Sequence, residues 1–242
     1  MLTRYEIMKI VMEPLMPLLH PMVRQDLKRL AGHRKLLLDV GGRKSPYTVG
    51  LKMDVTIVDV PQQSDVQKQL NLGLTDEMLK KYSYNRSNIK GIHIEDMTQS
   101  TLPDQSYDAA VAVEVIEHVV QDDDFVRHTA RVLKKDGWFY LTTPNGDYIK
   151  NEGPSYNPDH VKHFKKQELH NLLAKYFNDV EVWYAISTGK NRVRGLRSMY
   201  LSKPFELIGT MWGNIMNRPE SKNLREQSSH TAHLFALARN PK

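Results

Sequence analysis

Lys35-Leu-Leu-Leu-Asp-Val40, closed by Gly41-Gly42, is the stretch on which the fold turns. A run this short and apolar, ending in glycines, has the composition of a strand buried on both faces, as parallel strands are. Such a strand needs partners of its own kind, and they follow in order. Val55-Thr-Ile-Val-Asp-Val60, stopped by Pro61, reads as the second, Ile89 to Ile94 as the third, and Tyr107-Asp-Ala-Ala-Val-Ala-Val113 as the fourth. Trp138-Phe-Tyr-Leu-Thr-Thr143, ended by Pro144-Asn145-Gly146, is the fifth, and Val180 to Ile186 and Thr231 to Ala238 complete a set of seven.

Helical segments separate these runs. Thr75 to Tyr82 starts on an N-capping threonine. Gln121 to Lys134 carries Asp122, Asp123 and Asp124 where a helix dipole is positive, and Lys134 and Lys135 where it is negative. Lys166 to Tyr176 is a further helix. Strand and helix in alternation predict an α/β protein: a doubly wound, mostly parallel seven-stranded sheet with helices on both faces. The expected organisation is an N-terminal helical cap over 1–34, punctuated by Pro14, Pro17 and Pro21, a core over 35–187, an insertion over 188–229, and the last strand over 230–242.

Composition narrows the chemistry. The 242 residues are 40% hydrophobic and 26% charged, the balance of a chain that buries a core. There is no cysteine, which excludes disulfides, thiolate metal sites and cysteine nucleophiles. No apolar run approaches the roughly 18–20 residues that span a bilayer. Arg4, Glu6, Lys9 and Glu13 interrupt the N-terminal apolar residues, so no signal peptide is read there and a cytoplasmic location is expected. The formal net charge of +6 suits anionic partners, and equally suits solubility alone.

Ligands of open parallel sheets bind beyond the carboxyl ends of the strands. The informative residues should therefore follow each strand. Asp39, Gly41 and Gly42 end the first, where glycine lets a ligand approach the backbone. Asp59, with Val60 beside it, ends the second, the position from which a carboxylate holds the ribose hydroxyls of an adenosine-containing ligand. Asp96 and Met97 follow the third, an acceptor for an adenine amino group beside an apolar packing surface.

Three further stretches sharpen this reading: Leu102-Pro-Asp-Gln-Ser-Tyr-Asp108 leads into the fourth strand, Glu114-Val-Ile-Glu-His-Val119 leaves it, and Arg131-Val-Leu-Lys-Lys-Asp-Gly137 leads into the fifth. In this order they resemble the class I methyltransferases that use S-adenosylmethionine, in particular the small-molecule branch that includes the ubiquinone-biosynthesis O-methyltransferases. The resemblance runs from about Leu36 to Leu173. It implies a Rossmann-like core and S-adenosylmethionine as cofactor, with Asp39, Gly41 and Gly42 along its methionine and ribose part. Asp59 would take the ribose hydroxyls, Asp96 with Met97 the adenine, and Glu114 would lie near the reactive end. The chain departs from the family in its first loop, where Arg43 and Ser45 stand in place of the later glycines and Pro46 breaks the helix that follows.

A hydroxyl acceptor needs a general base, and histidine suits neutral pH. His118 is the first candidate because it follows the fourth strand; His160 and His163 in Asp159-His-Val-Lys-His-Phe164 resemble the family's H-x-x-H-F stretch. Each has a structural alternative as a capping hydrogen-bond partner. Glu114, Glu117 and His118 also match a cluster at which some relatives place a divalent ion, which from such ligands would be magnesium or manganese. No ion is needed to account for the same letters.

The expected activity is methyl transfer to a small molecule, at a hydroxyl oxygen of a sugar, a quinone-like ring or a lipid-linked intermediate. RNA or protein methylation is the alternative. The chain lacks the Asn/Asp-Pro-Pro-Tyr/Phe motif after the fourth strand that base-amine methylation uses. A non-catalytic scaffold is a third reading, to which Arg43 lends support. The insertion carries Lys190, Arg192, Arg194 and Arg197, then Tyr200, Leu201, Phe205, Leu207, Ile208, Met211 and Trp212. It reads as a lid over the acceptor, as a surface for peripheral contact with an anionic membrane, or, with too few basic residues to favour it, as a nucleic-acid contact. Nothing in the sequence speaks to oligomeric state.

Overall fold

The computed structural model describes residues 2–33, 36–42, 45–61, 85–153, 156–197 and 203–242. In chain order the elements are α1 (Arg4–Met12), a 3-10 turn (Glu13–Leu15), α2 (Leu19–Ala31), β1 (Leu36–Val40), β2 (Asp54–Asp59), β3 (Ile89–Ile94), β4 (Tyr107–Val113), α3 (Asp122–Val132) and β5 (Leu133–Pro144). They continue with α4 (Lys166–Ala174), β6 (Phe177–Ser187), α5 (Lys190–Gly195), α6 (Pro204–Glu220) and β7 (Thr231–Pro241). The helix expected over Thr75–Tyr82 and the side chain of Arg43 lie outside the described residues.

The seven strands form one sheet in the order β3-β2-β1-β4-β5-β7-β6. Strands β1 to β5 are parallel, and β7 runs antiparallel between β5 and β6. This is the Rossmann-like sheet of class I methyltransferases, and it accounts for the short apolar runs: alternate residues of each buried strand feed opposite cores. Leu38 and Val40 join Ala110 and Ala112 against α3 and α4 through Phe125, Val126, Leu169 and Leu173. Leu37 joins Val55, Ile57, Ala109 and Val111 against Val23 and Leu27 of α2.

Several boundaries differ from the sequence reading; β6, for one, spans Phe177–Ser187 rather than Val180 to Ile186. Helix α3 stops at Val132, and β5 begins at Leu133 rather than Trp138. The Lys134 ammonium holds the Asp108 carboxylate at 2.7 Å, which draws this segment alongside β4 before its apolar residues start. Strand β7 runs three residues past Ala238, because Asn240 and Pro241 still lie opposite the start of β6.

Two helices face the wrong way for their composition. Helix α1 buries Glu6, whose carboxylate takes the Ser87 N–H at 2.9 Å and the Thr3 N–H at 2.7 Å, and exposes Ile7, Met8 and Val11. Helix α6 buries Gly209, Thr210, Gly213, Asn214 and Asn217, and exposes Phe205, Ile208, Trp212 and Ile215. Among the described residues no helix is long and apolar enough to cross a membrane.

Candidate active site

The strand order reverses between β1 and β4, and at such a switch point the two chain directions diverge to leave a crevice at the carboxyl ends. Gly41 forms its floor. Its N–H reaches across to the Val58 carbonyl at 2.8 Å, its φ is +68°, and a Cβ there would sit 2.6 Å from Val115 Cγ2. Only glycine combines that conformation with that proximity.

Asp39 lies beneath the loop with 1% of its surface exposed. Its carboxylate accepts the Thr48 hydroxyl at 2.5 Å, and the Arg86 guanidinium donates to the same hydroxyl at 2.7 Å. Burial pushes the Asp39 carboxyl up to about 6, against the pull of Arg86 and Thr48. Its side chain also occupies the place of a Cβ on Gly42. Asp39 therefore shapes the crevice through the loop it anchors. That loop runs through successive turns, Ser45 N–H to Gly42 and Val49 N–H to Pro46, where the sequence reading expected a broken first helix.

Asp59 and Asp96 stand at the next two strand ends. Asp59 binds the Val60 N–H through Oδ1 at 2.9 Å, and its backbone carbonyl receives the Glu95 N–H at 3.1 Å. Asp96 caps the short turn Met97–Gln99 through the Thr98 N–H at 2.9 Å, and Met97 is buried against the core. Thus Asp39 and Asp59, in the last residues of their strands, and Asp96 and Glu114, just beyond theirs, stand at the carboxyl ends of four adjacent parallel strands.

Glu114 is the strained member, a non-glycine residue with φ +54°. Its Oε1 accepts the Thr142 hydroxyl at 2.8 Å and lies 3.2 Å from His233 Nδ1. Arg192 Nη2 reaches His233 Nε2 at 3.3 Å; since guanidinium only donates, His233 carries its proton on Nδ1 and donates to Glu114. Burial works to raise the Glu114 pKa, but His233, Thr142 and Arg192 together hold it below the usual carboxylate value. Glu117, fully buried, is pushed the other way by burial and then by the charge of Glu114.

The structure brings the three predicted histidines together. His163 Nδ1 meets the Ile149 carbonyl at 2.8 Å and must donate to it, so its Nε2 accepts from His160 Nδ1 at 2.7 Å. His118 Nδ1 donates to the Asp159 carbonyl at 2.9 Å. Each bond fixes a tautomer, leaving a lone pair on Nε2 of both His118 and His160. Glu117 Oε2 takes the Thr143 hydroxyl at 3.1 Å, while its buried Oε1 has no hydrogen-bond partner. One donor atom each from Glu117, His118 and His160 lie within 4.8 Å of one another. The metal-capable group thus contains His160 where the sequence reading grouped Glu114, whose carboxylate is turned to Thr142 and His233.

Beside Glu114 a cavity of about 350 Å³ opens between the N-terminal segment and helices α5 and α6. Leu18, His20, Tyr47, Arg192, Asn214 and His233 are among its lining. His20 is buried with neither ring nitrogen in a well-formed hydrogen bond. The Tyr47 hydroxyl, in the lining of the same cavity, is pushed up by burial and then by the charge of Glu114 and Asp39. Sequence reasoning missed His20, Tyr47, Arg192 as a site residue, and His233. His233 is separated from Glu114 by 119 positions, and no local pattern links them. The one available signal was Tyr47, next to the proline that breaks the family's first helix.

Comparison with known proteins bears on the fold and the family. Residues 38–141 match a family described as a methyltransferase domain. That stretch is similar to a methyltransferase domain, and the fold around it is that of class I methyltransferases. A protein of Mycobacterium tuberculosis, described as a probable S-adenosylmethionine-dependent methyltransferase, is 35% identical over 79 residues, covering 32% of this chain and 29% of the relative. The chain therefore aligns with under a third of that relative's length. The ubiquinone biosynthesis O-methyltransferase of Nitrosospira multiformis is 27% identical over 168 residues, covering 63% of this chain and 65% of the relative. Among solved structures, a phosphoethanolamine N-methyltransferase of Haemonchus contortus superposes with a TM-score of 0.63 at 16% identity, over 92% of this chain and 53% of that one. A methyltransferase of Thermotoga maritima gives 0.60 at 15% identity, over 91% and 89%. At these identities the structural likeness concerns the fold.

Proposed function

We propose that the chain transfers a methyl group from S-adenosylmethionine to a hydroxyl oxygen of a small molecule held in the cavity beside Glu114. The observation that carries this reading is the row of acidic residues Asp39, Asp59, Asp96 and Glu114 at the ends of four adjacent parallel strands. The tight Gly41 turn supports it, since its positive φ and close approach to Val115 keep the loop low at the crevice with no side chain of its own. In this reading Asp59 and Val60 take the ribose, Asp96 and Met97 the adenine, and the Gly41-Gly42 loop, braced from below by Asp39, the methionine part. The cofactor supplies an electrophilic methyl on a sulfonium; the protein supplies alignment and a dry site.

On the acceptor side, the hydroxyl oxygen forms the new bond to carbon and its proton must leave. His118, and behind it the His160–His163 pair, offers the imidazole lone pair that takes it. The same donor set would also hold a divalent ion through Glu117, His118 and His160. Two imidazoles and one carboxylate suit zinc or manganese better than magnesium, which prefers oxygen. An ion there would lower the pKa of a bound hydroxyl.

Calorimetric titration with S-adenosylmethionine and its demethylated product tests the reading directly. Micromolar binding is expected, weakened about 10-fold or more in Asp59→Ala, since a charge-assisted hydrogen bond contributes about 1.5–3 kcal/mol. Asp179→Ala, on the exposed part of β6, should bind as the parent does. A folded protein that binds neither compound rules the enzyme out.

A further inference from the structure

We infer that the outer face of α6 is a docking surface for an anionic lipid bilayer. Phe205, Ile208, Trp212 and Ile215 follow one another at intervals of three and four residues, so they share one face of the helix. All four are exposed, Phe205 at 89% of its surface. The helix is inverted relative to an ordinary surface helix, which turns its apolar stripe inward. The cause is the packing of α6 on α5. A Cβ on Gly213 would lie 2.8 Å from both the Asn191 carbonyl oxygen and the Gly195 nitrogen, so only a small side fits there. Asn214 on the same inner face donates to the Leu15 carbonyl at 2.9 Å. The large side chains have no room inward and stand outward. Helix α1, which leads into the turn that α6 grips, is inverted in the same way, with Ile7, Met8 and Val11 exposed.

Charge selects the occupant. Lys190, Arg194 and Arg197 lie exposed on or just after α5, and Lys203 immediately precedes α6. The carboxylates on these helices are engaged, Glu206 with Lys203 at 3.2 Å and Glu220 with the Asn191 amide at 2.6 Å. An exposed apolar stripe on a helix preceded in the chain by exposed cations matches the acyl boundary and headgroups of an anionic leaflet. A second copy of this chain would bring the same cations against each other. The buried side of α6 also lines the cavity beside Glu114 through Asn214 and Asn217. A bilayer on its outer side would lie about 10 Å from that cavity, one helix diameter. The acceptor would then be lipid-borne. This last step rests on the proposed methyl transfer; the docking itself does not.

Vesicle co-sedimentation of the intact chain tests it, using phosphatidylcholine alone and phosphatidylcholine mixed with phosphatidylglycerol. Trp212 is the one exposed tryptophan of the three, the others being Trp138 and Trp183 in the core, so its emission should shift to the blue on docking. Binding is expected to the anionic vesicles, weaker in high salt, and reduced about 10-fold or more in Phe205→Ser/Trp212→Ser, a loss of two exposed anchors. Val120→Ser, at an exposed apolar residue outside α1 and α6, should bind normally. Absence of binding to anionic vesicles by folded protein overturns the inference. So does a dimer in light scattering that the double substitution dissociates without any vesicle binding. Cofactor titration of the same variants separates this outcome from failure of the methyl-transfer reading.

Discussion

Asp39 and His20 make opposite demands on pH, and both follow from burial. Asp39 titrates near 6 in the folded chain against an ordinary value of 3.8. The unfolded chain therefore releases this proton first as pH rises, and stability falls between about pH 4 and 6, by about 3 kcal/mol for a shift of this size. Asp39→Asn should remove that slope and raise the urea midpoint at pH 7, while weakening cofactor binding through the loop. A midpoint that falls at pH 7 would show the charge to be stabilising. His20 is lowered to about 4 by burial and then by the charge of Arg24, with the nearby Pro46 carbonyl opposing. Its unfolded form takes up a proton near 6.5, so stability is lost as pH falls from there toward 4. His20→Leu should abolish that acid-side loss and, by removing unsatisfied ring nitrogens, gain about 1–3 kcal/mol at neutral pH. Neither residue carries a sequence signal for this. Asp39 was legible as a strand-end acid, but its isolation from solvent depends on Thr48 and Arg86, brought from elsewhere in the chain.

At the scale of elements, the inverted helices show where periodicity misleads. The apolar residues of α1 and α6 recur at helical spacing, which identifies a helix and normally its inward face. Here the inward face is set by partners: Ser87 for Glu6, and α5 for the glycines of α6. Gly213→Ala tests this on stability. An alanine in a helix interior ordinarily gains up to about 1 kcal/mol over glycine. At Gly213 the new methyl would press on backbone atoms at 2.8 Å, and overpacking of that kind costs about 1–3 kcal/mol. A net loss in thermal unfolding is expected, and a gain would show that α5 and α6 are not locked together. The strands were the most legible elements, because β1 to β4 are short, apolar and closed by glycine, proline or acidic residues. Their ends were less so: β5 starts early because Lys134 is tied to Asp108, an interaction between segments.

For the whole molecule, ligand binding should report on the crevice as a unit. A ligand at 100 times its dissociation constant stabilises the native state by about 2.7 kcal/mol. In a chain of this size the demethylated cofactor should then raise Tm by about 5–10 °C. Asp59→Ala at the same ligand concentration should show little of that rise; a full rise would place the ligand elsewhere. The sequence by itself determined the sheet, its strand order of appearance and the acids at the strand ends, because burial on both faces and the position after a strand are local properties of composition and spacing. Tertiary structure alone decided which groups meet. His233 reaches Glu114, His160 joins Glu117 and His118, and α6 shows its apolar side to solvent, since each depends on contacts between segments far apart in the chain that no periodicity encodes.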